Sequence, residues 1–156
     1  MISRGFFAFL AFLRIAAGVS LVLTGLHKLA WFTDPGKLEA QLSGWGAHPA
    51  NLLVAKYLGL VTPHHHLFAR MVVLGEIVLG SMLVLGFLTP LAALLAFLMV
   101  LNFVFASGQM FSLPFYTGES ALVYLLVFPV LLLGRAGTFL GVDGLMSGAE
   151  KKRPGS

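Results

Sequence analysis

Residues 67–89 read LFARMVVLGEIVLGSMLVLGFLT. About 20 mostly apolar residues suffice to cross a bilayer as a helix, so this stretch predicts a transmembrane span. Glu76 stands well inside it. An ionised acid near the bilayer centre costs about 2.5–3.5 kcal/mol on insertion scales, so its side chain should face protein or water and not lipid. Helical spacing puts Ala69, Val72, Glu76, Gly80 and Leu83 on one face. The small residues at 69 and 80 let a second helix come close. A partner for Glu76 must come from another part of the chain.

The composition places the whole chain in the same environment. Its 156 residues are 58% hydrophobic and 10% charged, whereas a soluble domain is nearer half apolar and one quarter charged. One integral membrane domain, all-α, covering residues 1–156, is the expected architecture. The formal charge is only +4 and the basic residues are dispersed or terminal, which argues against a nucleic-acid partner despite a pI of about 9.8. There are no cysteines, which excludes thiolate chemistry, disulfide exchange and cysteine-ligated clusters.

Outward from 67–89, the apolar runs predict further spans at about 6–31, 91–106 and 119–134, making a four-helix bundle. The run at 6–31 resembles a signal peptide only at its start, since Arg14 interrupts it and a second run follows with no cleavage-like stop. Arg14, Gly18, Leu21, Gly25 and Lys28 share one helical stripe that should face inward. Residues 33–66 form an outer loop, with a turn at Asp34-Pro35-Gly36 and Trp45 as an interfacial anchor. Within it, 49–61 is apolar but too short to span, which predicts an interfacial or re-entrant helix. The third span carries Asn102, and the fourth carries Tyr124 and a kink-prone Pro129. Glu119 is placed to complement the start of the fourth helix. A Gly-rich interfacial segment, 135–146, leads to a basic tail, 147–156.

Lysine and arginine placement favours both termini on the cytoplasmic side. Arg4, Arg14, Arg135, Lys151, Lys152 and Arg153 then lie inside or nearest that side, and Lys28, Lys37, Lys56 and Arg70 lie outside. At about 1.5 Å per residue, Arg14 comes roughly 12 Å up from the inner surface. Glu76 and Asn102 come to about 17 Å and Tyr124 to about 20 Å on the same scale. This arithmetic predicts an Arg14–Glu76 pair completed by Asn102 and Tyr124, with Lys28 on the same stripe. Such a network admits three readings: a lock on helix register, a polar pocket for a small molecule or lipid-soluble head group, or a proton or ion route. His64-His65-His66 is read as a solvated loop and not as a metal site, because adjacent side chains diverge. No P-loop, dinucleotide fingerprint, nucleophile elbow or zinc-protease helix is present.

Arg14 with Gly18, GLHKL at 25–29, GEIVLGSMLVLGFLTP at 75–90, Asn102 and GRAGTFLGVDGL at 134–145 together resemble the DoxX/DoxD-like membrane proteins. The likeness covers most of the chain apart from 37–66 and the tail. It implies a four-helix bacterial inner-membrane protein, in a family named for subunits associated with a quinol oxidase and with thiosulfate:quinone oxidoreductase activity. It also implies that Arg14, Lys28, Glu76 and Asn102 are the family's polar positions. A quinone held by Arg14, Glu76 and Asn102 follows as an expectation, with no intrinsic cofactor, no catalytic residue assigned, and electrons supplied by a redox partner subunit. A homo-oligomer, a non-catalytic scaffold that recruits partners and a small transporter are the alternatives.

Overall fold

The computed structural model describes residues 4–118, 120–134 and 136–150. The expected roles of Glu119, Arg135 and the basic residues 151–153 lie outside these. Every regular element among the described residues is helical. In chain order they are α1 (Arg4–His27), α2 (Gly36–Ala47), α3 (Leu52–Val61), α4 (His65–Leu85), α5 (Thr89–Ala106), α6 (Leu113–Gly118), α7 (Ser120–Leu133) and α8 (Val142–Glu150).

The bundle is built from α1, α4, α5 and α7, which share a core of Leu10, Leu21, Leu79, Leu83, Ala96 and Phe128 among others. Among the described residues, three helical runs are long and apolar enough to cross a membrane: α1, the run Leu52–Leu85 that contains α3 and α4, and α5. At the expected crossing 119–134 the structure places the apolar helix α7, Ser120–Leu133; α6 ends at Gly118, and residue 119 between them lies outside the described residues. The outward faces are apolar too: Phe9, Phe12, Leu23, Leu126 and Leu133 are all exposed, an arrangement suited to lipid and costly in water.

The four-helix count is also exceeded, chiefly by the first loop. Residues 33–66 are mostly helical, and α2 and α3 pack as a cap on the bundle through Leu38, Leu42, Val54, Leu58 and Val61, against Ala69 and Ala106. The helix in 49–61 forms as expected, started by Asn51, whose side chain accepts a hydrogen bond from Val54 N at 3.0 Å. The Asp34 turn also forms, with Asp34 Oδ1 accepting from Gly36 N at 3.1 Å. Helix α2 has weak local propensity, carrying three glycines in GKLEAQLSGWGA; burial of Leu38 and Leu42, one turn apart, holds it in place. His64 lies in a 3₁₀ turn and His65 and His66 open α4, so the histidines are not a loop. His65 Nδ1 lies 2.9 Å from Thr62 O, and its Nε2 is 3.5 Å from Glu39 Oε2. No group of three or more metal-ligating side chains gathers among the described residues.

The two inward stripes are as expected. Arg14, Gly18, Leu21 and Gly25 are buried on α1, and Ala69, Val72, Glu76, Gly80 and Leu83 are buried on α4. Gly18 and Gly80 face each other, and a Cβ on either would come within 2.7 Å of the other's carbonyl oxygen. This contact brings two backbones together and fixes the axial register of the antiparallel pair. A Cβ on Gly25 would in turn meet Glu76 Cβ at 3.0 Å. Glu76 therefore sits level with the far end of α1, while Arg14 sits level with the end of α4.

That end of α4 is closed by Gly86, with φ +66°. Gly86 N donates to Leu83 O and Phe87 N to Met82 O, the double bond of a left-handed helix stop. Helix α5 begins three residues later with no local side-chain cap. Its leading amides are satisfied from α8: Leu88 N donates to Asp143 Oδ1 at 2.7 Å and Thr89 N to Asp143 Oδ2 at 2.9 Å. An acid at a helix N-terminus answers both the unpaired donors and the dipole.

Candidate ligand cavity at the Lys28–Glu76 pair

Glu76 finds its partner at the end of α1. Lys28 Nζ donates to Glu76 Oε1 at 2.5 Å, and the side chains are 21% and 7% exposed respectively. Lys28 is the first residue past α1, where the chain turns into the 3₁₀ segment Leu29–Phe32. Its ammonium lies 5.4 Å from the Trp31 ring centre and 5.6 Å from that of Phe103. Both distances are within reach of cation–π attraction. The second carboxylate oxygen, Glu76 Oε2, is buried and has no hydrogen-bond partner among the described residues. A buried acceptor in that condition is worth about 1–3 kcal/mol to any donor that can reach it.

There is room for such a donor. Lys28 and Glu76 line a cavity of about 320 Å³, within the size range of small-molecule sites. Trp45 and Gln41 close it from α2, Met99 and Phe103 from α5, and Tyr124 from α7. Tyr124 is held by a short hydrogen bond between its hydroxyl and Ser20 Oγ, which ties α7 to α1. Its ring also stacks on Phe128 at 5.8 Å. The result is an aromatic-walled chamber with one ammonium, one half-satisfied carboxylate and a few neutral polar groups.

Two of the expected pocket residues lie elsewhere. Arg14 does not pair with Glu76. It is fully buried near the middle of α1, level with the end of α4, where Nη1 donates to Ala136 O at 3.1 Å and Nη2 to Leu140 O at 2.8 Å. The depth arithmetic failed because it measured each helix from its apolar start, whereas the Gly18–Gly80 contact sets the true register. Asn102 is exposed on α5 and donates to the Tyr57 hydroxyl of α3, so it fastens the cap and does not line the chamber. Lys28, Glu76 and Tyr124 are the expected residues that the fold brings together.

The sequence reading missed Gln41, Trp45 and Phe103 as cavity walls, and Asp143 as the cap of α5. For Asp143 a signal existed: one acid among the glycines of 134–145. For Gln41 and Trp45 no local pattern points inward, since only the folding of α2 over the bundle brings them there.

The chain matches no curated protein and no solved structure. The DoxX family model matches residues 9–109. That range takes in the first loop and stops before 134–145, so the extent of the likeness differs from expectation at both places. It contains Arg14, Lys28, Glu76 and Asn102 and covers well over half of the chain, which is therefore a membrane protein of the DoxX family.

Proposed function

We propose that the Lys28–Glu76 cavity receives the ring of a quinone, and that the chain is a membrane subunit of a quinone-linked oxidoreductase system in the bacterial inner membrane, with both termini cytoplasmic. The observation that carries this reading is the half-satisfied carboxylate. Glu76 has one oxygen engaged by Lys28 and one buried without a hydrogen-bond partner among the described residues, in the wall of an aromatic chamber.

The residues present fit such a ring. Lys28 can donate a hydrogen bond to a ring carbonyl while holding Glu76 Oε1. Glu76 Oε2 can accept from a ring hydroxyl and exchange its proton, the general acid–base role open to a buried carboxyl. Trp45, Phe103 and Tyr124 supply flat apolar walls for a planar ring and keep bulk water out. A quinone supplies two-electron, two-proton chemistry when bound. The chain has no cysteine and no side chain suited to carrying those electrons, so they would pass to or from a partner subunit.

Native mass spectrometry on protein released gently from its own membrane tests the reading. A quinone-sized mass should accompany the wild type and be lost in folded Glu76→Gln and Lys28→Met variants. Should no small molecule accompany the wild type while a partner protein co-purifies with all three forms, the ion pair is a structural lock and a scaffold role replaces this one.

A further inference from the structure

A second cavity, of about 540 Å³, lies between α4 and α5 and is apolar along its length, with Asn102 its polar exception. It shares two side chains with the Lys28–Glu76 chamber: Met99 and Phe103 line both. Resting on the quinone reading of the first cavity, we propose that this groove holds the hydrocarbon tail of the same molecule, so that the ligand is a long-chain, lipid-soluble quinone that enters sideways between α4 and α5.

The wall between the two spaces is thin and movable. On α4, Gly75 faces Met99 with nothing larger than hydrogen, and a Cβ there would meet Met99 Sδ at 3.2 Å. A methionine swings aside by bond rotation at little cost, more readily than a branched side chain would. The other exits suit a tail less well. Toward α2 the chamber is lined by Gln41, Ser107 and Gln109. Toward α1 and α7 it is barred by the Ser20–Tyr124 hydrogen bond. Beyond Met99, in contrast, the walls are Met71, Leu74, Val78, Leu95 and Leu98, all exposed and facing where lipid would lie. A tail moving from lipid into this groove exchanges one apolar contact for another. The groove therefore gives direction and fit more than affinity.

The test follows position in place of affinity. The full chain in phosphatidylcholine nanodiscs is photolabelled with a benzoquinone bearing a decyl tail that ends in a diazirine, with and without an excess of the tailless ring. The expected result is labelling on α4 and α5 at Met71, Val78, Leu95 or Leu98, suppressed by the tailless ring and lost in Leu98→Trp, which fills the groove. Suppressible labelling at Leu23 of α1 or Val123 of α7 overturns the groove while leaving the Lys28–Glu76 site intact. Labelling that the tailless ring does not suppress overturns the head-group site, and the tail assignment falls with it.

Discussion

One inward stripe runs from Arg14, near the middle of α1, to Lys28, just past its end, and the two ends of that stripe use their cations differently. At the Arg14 end, both terminal guanidinium nitrogens are engaged by backbone carbonyls of 136 and 140. Gly86 and Gly141 crowd the same group closely enough that neither has space for a side chain. Asp143, beside it, caps α5. At the Lys28 end, the ammonium meets one carboxylate oxygen and two aromatic faces, and the remaining oxygen is buried beside the cavity with no hydrogen-bond partner among the described residues. An ionisable residue within a membrane span is a functional-site candidate by default. Each site keeps one buried polar atom with no hydrogen-bond partner among the described residues, Arg14 Nε and Glu76 Oε2, so the deciding property is whether a cavity adjoins the group. Arg14 is enclosed and structural, and Lys28 borders a cavity.

If that contrast is right, the largest effect of any single change should fall at the closed end. Arg14→Ala strands two buried carbonyls and empties a filled site. It should cost about 3–5 kcal/mol, as breaking a buried charged network does, read as a fall in the midpoint of thermal unfolding in mild detergent. Next comes Asp143→Ala, which removes a remote helix cap and should cost about 1–2 kcal/mol. Hydrogen exchange should accelerate at the amides of Leu88 and Thr89 and remain unchanged at Glu76.

The open end should respond in function more than in stability. Lys28→Met removes the hydrogen bond to Glu76 Oε1 at the edge of the cavity, so the loss should be about 1 kcal/mol. Bound ligand should disappear altogether. Pairing it with Glu76→Gln should recover part of the stability, a coupling of about 0.5 kcal/mol or more between neighbours, and none of the binding. The smallest effect is expected at Asn102→Leu. Its single exposed hydrogen bond to Tyr57 is worth about 0.5 kcal/mol, read as faster hydrogen exchange in α3 with the thermal midpoint almost unmoved. A loss of ligand in Arg14→Ala protein that remains folded would erase the distinction between the two ends.

Much of this was legible in the residues alone, and for definite reasons. Apolar content and run length identify a membrane protein, because lipid demands about 20 apolar residues for each crossing helix. The stripes on α1 and α4 follow from helical periodicity, and both are buried as that periodicity requires. The cost of an acid in lipid implies that Glu76 has a partner. Which partner was not legible. Arg14 and Lys28 occupy the same stripe, and the choice between them depends on an axial offset that two facing glycines determine by backbone contact. The cap on α5 is supplied from 54 residues away, and α2 forms under its burial against α3 and α4 despite its glycines. Local pattern thus determined environment, helix faces and the need for a counter-charge. Tertiary packing decided pairing and enclosure, because those depend on distances between segments that no single segment encodes.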